Sequence, residues 1–485
     1  MGTVSVQTEF ANPKLVIIGG GPGGYEAALV AASLGAEVTV IEEQGMGGSA
    51  VLTDVVPSKT LIASADTMNR FADAKDLGVH VGDGQDASEE LNNLRVDLDT
   101  VNVRLLRLAA TQSRDIKRGL ERVGVRVVQG RGRLADQHTV VVSPSDDDAE
   151  YELHANVVLL AVGSHPREMD TAKPDGERIF NWKQIYQLTE IPEKLIVVGS
   201  GVTGAEFASA YMNLGAKVTL ISSRDQVLPG EDHDAALVLE NVFRRGGMTV
   251  LSKSRAQGVE RVGDGVVVTL SDGRTVEGSH CLMAVGSIPN TAGIGLAEAG
   301  VQLTDSGHIR VNRVARTSVS NIYAAGDCTT LVPLASVASM QGRTAIFHAL
   351  GDTVIPLERR RITANIFTAP EIATVGRQEQ DLATGAINGY VHKLPLAANA
   401  RAKMMGISDG FVKIIAREGS GTVIGGVIVA PRASELIYPI AIAVERRLTV
   451  DQVSRVFAVF PSLTGSITDA TRAMHLVNRD DDFFG

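Results

Sequence analysis

Apolar positions along the chain follow two rhythms. Short unbroken runs, Leu15-Val16-Ile17-Ile18 and Leu195-Ile196-Val197-Val198, have the continuous β-branched character of strands buried on both faces of a parallel sheet. Each run breaks into a glycine-rich turn and an Ala-rich stretch that predicts a helix, and each helix is followed by a second strand, Glu37 to Ile41 or Lys217 to Ile221. Strand and helix alternate in this way to about residue 345, the signature of α/β units. Residues 99–123 carry Val101, Leu105, Leu106, Leu108, Ile116 and Leu120 at helical spacing and predict a long amphipathic crossover helix. Two further apolar strands, Val157 to Val162 and Cys281 to Val285, end in matching turns at Gly163-Ser164 and Gly286-Ser287-Ile288-Pro289-Asn290. They mark the chain entering and leaving an inserted domain. Ser143 to Glu150, with Pro144 and the run Asp146-Asp147-Asp148, reads as a hairpin tip or loop. From Arg361 the pattern changes: strand-like Phe411 to Ile415 and Val423 to Val429, with an apolar helix over Ser434 to Val444, form a third unit.

The two glycine turns carry the first chemistry. Gly19-x-Gly21-x-x-Gly24 and Gly199-x-Gly201-x-x-Gly204 each follow a strand and open a helix. In such a turn the first Gly permits the tight bend and the second lets the backbone approach a pyrophosphate. The third packs the helix on the strand, with the phosphates on the helix N-terminus. The strand after the first helix ends in Glu42, a carboxylate placed to accept from a ribose 2′-OH, which marks an adenine dinucleotide without a 2′-phosphate. At the matching position of the second unit stands Ser222, followed by Ser223 and Arg224. A lost carboxylate and a gained guanidinium suit a 2′-phosphate, the alternative being an arginine solvated in a loop. Two dinucleotide sites in one chain imply that one nucleotide hands electrons to the other.

Composition narrows the class without changing it. A chain of 485 residues suits about three domains. The formal charge of −10, with acids and bases dispersed, leaves no basic footprint for nucleic acid or an anionic membrane. No apolar run approaches the ~20 residues of a membrane span, and Met1 to Pro13 lacks the order of a signal peptide, so a cytoplasmic enzyme is expected. The two cysteines, Cys281 and Cys328, form neither a CxxC pair nor a disulfide framework; both are expected as packed small hydrophobes. The histidines are scattered, with none at metal spacing, so no metal is expected. His165, after a crossover turn, and His233, in an acidic loop, are assigned surface or hinge roles.

These landmarks resemble, over nearly the whole length, the flavoprotein disulfide reductases, which include dihydrolipoamide dehydrogenase, glutathione reductase, mercuric reductase and soluble transhydrogenase. Beyond the glycine motifs the resemblance rests on Asn321-Ile322-Tyr323-Ala324-Ala325-Gly326-Asp327, on Phe367-Thr368-Ala369-Pro370-Glu371-Ile372-Ala373, and on Pro57-Ser58-Lys59. It implies FAD at the first site, held by Gly19, Gly21, Pro22, Gly23, Gly24, Glu42, Gly48, Ser49, Lys59, Gly132, Gly163, Asp327, Leu334 and Ala335. At the second it implies NAD(P)H, with NADPH favoured, on Gly199, Gly201, Val202, Gly204, Glu206, Ser222, Ser223, Arg224 and Gly286. Lys59, paired with Glu206, falls where the family's lysine stands beside flavin N5, and the helix beginning near Leu334 turns its positive end toward the flavin. The implied fold is α/β: two Rossmann-like three-layer dinucleotide-binding domains and a C-terminal α+β dimerisation domain. The boundaries are 1–13 as a flexible N-terminus, 14–165 with 289–355 for FAD, 166–288 for NAD(P), and 356–485 for the C-terminal domain.

One departure decides the function. Where the family carries two cysteines separated by four residues, this chain has Ala50 and Val55; where it carries His-Pro-Thr with a Glu, the chain reads Phe460-Pro461-Ser462 with Gly465. Neither a thiolate nor the acid–base dyad that protonates it remains. A flavin reduced by NAD(P)H must then pass two electrons to an acceptor that needs no thiol, and a quinone fits. Ala50, Val55 and Phe460 become the lining of an apolar pocket, with Phe460 supplied by one subunit of a C₂ homodimer to the other. The quinone is expected either there or in place of NADP⁺ on the nicotinamide side, and the sequence does not choose. The chain also resembles a disulfide-lacking actinobacterial subgroup of lipoamide-dehydrogenase-like NAD(P)H:quinone reductases, in this segment and in Ala398-Asn399-Ala400-Arg401-Ala402-Lys403. The alternatives are a soluble pyridine-nucleotide transhydrogenase, which must admit both NADH and NADPH, and a degenerate FAD-binding scaffold that acts through partners.

Overall fold

A computed structural model describes residues 12–74, 77–79, 94–146 and 148–480. Most of the N-terminal segment 1–13, and Asp147 of the acidic run, lie outside the described residues. The chain divides into two compact units.

The first unit gathers the chain up to Ser58 with Val103–Arg167 and Ser287–Arg359. Its seven-stranded sheet runs Ile322–Ala324, Val157–Leu160, Lys14–Ile18, Glu37–Glu42, Arg126–Leu134, Thr139–Pro144, Tyr151–His154. The first five are parallel and the last two continue as an antiparallel meander. The central run is apolar throughout because both of its faces are covered. Leu15 and Ile17 meet Ala27, Ala31, Ala345 and Ile346 on one side. Val16 and Ile18 meet Leu134, Val140, Ile309 and Cys328 on the other. The helices Pro22–Ser33 and Ala335–Ala349 touch backbone to backbone: a Cβ on Gly342 would lie 2.1 Å from the Gly23 carbonyl oxygen. The two crossover turns pair antiparallel as Ser164–Pro166 with Ser287–Pro289. His165 Nδ1 lies 2.6 Å from Asn290 Oδ1, and Asn290 Nδ2 donates to the Val162 carbonyl.

The second unit holds Lys59–Asn102, Glu168–Gly286 and the chain from Arg360 onward. Five parallel strands run Thr249–Leu251, Lys217–Ile221, Lys194–Val198, His280–Met283, Ile179–Asn181. Three short antiparallel strands follow from Ala256–Val262. The C-terminal part is a five-stranded antiparallel sheet, in the order Thr363–Ile366, Glu371–Gly376, Val423–Ala430, Phe411–Arg417, Gly389–Pro395.

The long amphipathic helix runs Leu98–Arg122, as its periodicity predicts. The apolar helix expected over Ser434 to Val444 is instead two helices, Ala433–Leu436 and Tyr438–Arg446. Pro439 is the cause: it has no N–H to continue the ladder, so it sits in the first turn of the second helix. The strands before the crossover turns also end early, at Leu160 and Met283.

Candidate functional site

Each glycine of the two turns faces a different neighbour. Gly19 has φ +104, and a Cβ there would lie 2.2 Å from the Ala161 carbonyl oxygen. A Cβ on Gly24 would lie 2.0 Å from the Gly19 carbonyl oxygen. The second turn repeats this: Gly199 has φ +110 and meets the Ala284 carbonyl oxygen at 2.2 Å, and Gly204 meets the Gly199 carbonyl oxygen at 1.8 Å. The outer glycines are therefore demanded by the fold. The middle ones are not, since a Cβ on Gly21 or Gly201 would find nothing within 4 Å. Gly21 and Gly201 are also the N-caps of Pro22–Ser33 and Val202–Asn213, and neither helix start has a side-chain cap. Two open cradles with uncapped N–H groups are what a pyrophosphate takes.

Around the first cradle, Glu42 is half-buried at its strand end. Its Oε2 accepts from Gly20 N–H at 2.6 Å, and its Oε1 accepts from Gln44 N–H at 2.7 Å and Gly45 N–H at 3.2 Å. Gly48 has φ +55, and a Cβ on it would lie 3.0 Å from Gly21 Cα. Ser49 follows it in the short helix Gly48–Leu52. Gly132 packs on Ile41 and Ile18, where a Cβ would meet their side chains at 3.1 and 3.2 Å, whereas Gly163, at φ +66, faces open space. Asp327 is partly buried and accepts from Ser164 Oγ at 3.1 Å; burial pushes its carboxyl above the usual range. Leu334 is the N-cap of Ala335–Ala349, again without a side-chain cap.

In the second unit Lys59 Nζ lies 2.7 Å from Glu206 Oε2. Glu206 is only 5% exposed, and its Oε1 accepts from Phe367 N–H at 2.8 Å. The Phe367 ring lies beneath the same ammonium, 4.9 Å from Nζ to centroid. Ser209, one turn on from Glu206, accepts from Ala369 N–H. Phe367 and Ser209 were not anticipated as partners of this pair; spacing of i and i+3 on one helix face was the available signal.

Ser222 stands at the strand end, one residue past Ile221, and its side chain points inward. It is completely buried, takes a hydrogen bond from Ser200 Oγ at 2.7 Å and another from Arg224 N–H at 3.1 Å. Its hydroxyl is committed to the hydrogen bonds of its own loop, donating to the Arg224 carbonyl at 3.2 Å. Ser223 and Arg224 are exposed, and among the described residues the Arg224 guanidinium has neither a hydrogen bond nor an ion pair. Val202 is exposed at the first helical position, and Gly286, at φ +99, faces open space.

Ala50 lies on Gly48–Leu52 and Val55 opens the helix Val55–Ala74; both are half-buried. Phe460 is 84% exposed, among exposed Val456, Phe457 and Val459. Cys281 and Cys328 are fully buried free thiols. Burial holds both above the ordinary thiol range, Cys328 at about 12, so neither supplies a thiolate. No cluster of metal-binding side chains and no helix long and apolar enough to cross a membrane is found among the described residues.

Comparison with known proteins bears on the whole chain. The pyridine nucleotide-disulphide oxidoreductase model matches residues 13–342, and the dimerisation domain of the same family matches 362–471. A Mycobacterium tuberculosis protein named NAD(P)H dehydrogenase (quinone) is 50% identical over 477 residues, 96% of this chain and 94% of its own length. The dihydrolipoyl dehydrogenase of Bacillus subtilis is 33% identical, covering 93% and 94%. The crystal structure of LpdA from Mycobacterium tuberculosis superposes with a TM-score of 0.90 at 50% identity, over 95% of this chain and 99% of that one.

Proposed function

The chain belongs to the pyridine nucleotide-disulphide oxidoreductase family, and from that premise we propose that it is an FAD-dependent NAD(P)H:quinone oxidoreductase that has abandoned the family's thiol chemistry. One observation carries the reading. Ala50 and Val55 stand at the two cysteine positions while both glycine cradles and the Lys59–Glu206 pair are in place. What accepts a hydride is kept, and what passes it to a disulfide is gone. The activity for which the mycobacterial relative is named is of the same class.

The first cradle fits FAD. Gly21 leaves the pyrophosphate path open, Glu42 stands at the ribose end of its strand, and Asp327 presents a carboxyl drawn out of water. Bound there, FAD supplies the two-electron relay between a nicotinamide and an acceptor. Lys59 brings positive charge to that relay, and Glu206, anchored by Phe367 N–H, holds the ammonium in place. The uncapped N-terminus of Ala335–Ala349 adds the partial positive charge of a helix dipole, about half an elementary charge.

NADPH is the favoured donor. The N–H groups at Gly201 and Val202 take its pyrophosphate, and Arg224, exposed and unpaired, takes the 2′-phosphate. The acceptor is a quinone, which takes two electrons directly and its protons from water. Ala50 and Val55 give it an apolar wall. The matched dimerisation domain and the exposed Val456-Phe457-Ala458-Val459-Phe460 stretch support a homodimer in which Phe460 completes that wall.

Anaerobic titration with dithionite or NADPH tests the loss of thiol chemistry. The expected result is two electrons per FAD with no long-wavelength thiolate-to-flavin charge-transfer band. Four-electron uptake would overturn the reading.

A further inference from the structure

Lys413 is a cation in the middle of the apolar strand run Phe411-Val412-Lys413-Ile414-Ile415, and it is 1% exposed. Its Nζ lies 3.0 and 2.8 Å from the two carboxylate oxygens of Asp232, 2.8 Å from Asp234 Oδ2 and 2.6 Å from Glu379 Oε2. Lys393 Nζ reaches Asp234 Oδ2 at 2.9 Å, and the Phe411 ring lies 5.6 Å from each ammonium. Burial opposes the charge on Lys413, but the three carboxylates outweigh it and hold the amine above its ordinary range. Burial likewise opposes the charge on Asp234, and hydrogen bonds from Lys413 and Lys393 keep its carboxyl below the usual range.

The hydride chemistry makes no use of this cluster. As a source of stability it is inefficient, because desolvating the ions cancels most of their attraction; what such a cluster secures is one geometry. The geometry secured is the start of the helix His233–Arg245. Asp232 is its N-cap, with Oδ1 accepting from Ala235 N–H at 3.2 Å. The loop that leads into this cap runs from Ser222 and carries Arg224. Its other end is tied at the second glycine cradle: Ser200 Oγ donates to Ser222 Oγ, and Leu228 N–H donates to the Ser200 carbonyl at 2.8 Å, with Leu228 in the left-handed region at φ +53. Gln226 Oε1, midway, is 2.8 Å from His233 Nδ1. The loop is thus hung between the cradle and Lys413.

We propose that Lys413 is a positioning residue for coenzyme selection: by clamping Asp232 from the C-terminal sheet it pre-sets the Ser223-Arg224 segment for a 2′-phosphate. This rests on the reading of Arg224 as the phosphate ligand. A pre-set loop spares the ordering cost that a slack one meets on binding. The effect is confined to ligands that carry the phosphate, since the cradle itself is held by Gly199 and Gly204.

The test is calorimetric titration of the holoenzyme with 2′,5′-ADP and with 5′-ADP, in the wild type, Lys413→Met, Lys413→Arg and Asp232→Asn. Asp232→Asn keeps a capping oxygen while removing the charge that Lys413 grips, so it decides the matter if Lys413→Met does not fold. Lys413→Met and Asp232→Asn should bind 2′,5′-ADP about tenfold more weakly and 5′-ADP within about twofold of the wild type, with partial rescue by Lys413→Arg. Amide exchange at Leu228 should accelerate in the same variants. Wild-type preference for 2′,5′-ADP in both variants, or equal losses for the two probes, overturns the positioning role alone. A wild type that binds both probes alike overturns the Arg224 reading and the inference with it.

Discussion

A methyl group distinguishes the outer glycines, which the fold demands, from Gly21 and Gly201, which we propose take the pyrophosphates. In Gly201→Ala the new Cβ meets no heavy atom within 4 Å, and the backbone, at φ −71 and ψ −174, suits any L-residue. Replacing a Gly N-cap by Ala costs up to about 1 kcal/mol. The smaller entropy of the unfolded chain returns about 0.4–1 kcal/mol, leaving a net near zero and a Tm within about 2 °C of wild type. On the proposed reading the same methyl stands where the NADPH pyrophosphate approaches. Loss of one charge-assisted N–H bond is worth about 1.5–3 kcal/mol, or roughly 10- to 150-fold in Kd. Gly204→Ala is the contrast. Its Cβ would lie 1.8 Å from the Gly199 carbonyl oxygen and 2.9 Å from the Gly199 carbonyl carbon, backbone atoms that cannot swing aside. That variant should melt many degrees lower or fail to fold. Thermal unfolding with NADPH titration of both variants checks this. Gly201→Ala as unstable as Gly204→Ala, or an NADPH Kd within twofold of wild type, would refute the division of labour.

Arg224→Ala should weaken NADPH by about 1.5–3 kcal/mol with a much smaller effect on NADH, read from Kd for each coenzyme; equal losses would place the guanidinium away from the phosphate. His280 is half-buried beside Arg178, and burial followed by that charge lowers it to about 4 from 6.5. Its protonation therefore favours the unfolded chain: stability is full above about pH 6.5 and falls as the pH drops toward 4, by about 1–2 kcal/mol after solvent screening. Urea midpoints across that window should slope in the wild type and flatten in His280→Gln; parallel slopes would contradict this. Phe460→His should leave the rate of flavin reduction by NADPH unchanged and alter quinone kcat/KM, measured by stopped flow and steady state. An unchanged kcat/KM would move the acceptor to the nicotinamide side, and a monomer in sedimentation would remove Phe460 from the pocket.

What could be read from residues alone was whatever is dictated locally. The glycine turns are legible because the motif is local: Gly24 and Gly204 are fixed by the carbonyls of Gly19 and Gly199 five residues earlier, whereas the carbonyls that Gly19 and Gly199 themselves meet, at Ala161 and Ala284, are distant in sequence. The parallel cores follow from continuous β-branched runs, and the Leu98–Arg122 helix from its period. What escaped depends on contacts distant in sequence or on orientation. Ser222 was placed correctly at its strand end but turns inward to Ser200, a partner twenty-two residues away. The Pro439 break needed more weight on one residue than on the apolar run around it. Lys413 left a signal, a lone cation inside an apolar strand, but its partners at Asp232 and Glu379 belong to other elements that no local pattern joins to it.

The most direct measurement is a side-by-side assay of the purified holoenzyme with NADPH and three acceptors: a benzoquinone, lipoamide and thio-NAD⁺. Rapid NADPH oxidation with the quinone, and none above background with lipoamide or thio-NAD⁺, is the expected outcome for a chain that carries Ala50 and Val55 at the positions of the family's two cysteines. Turnover of lipoamide would contradict the loss of disulfide chemistry, and thio-NAD⁺ reduction faster than quinone reduction would make the enzyme a transhydrogenase instead.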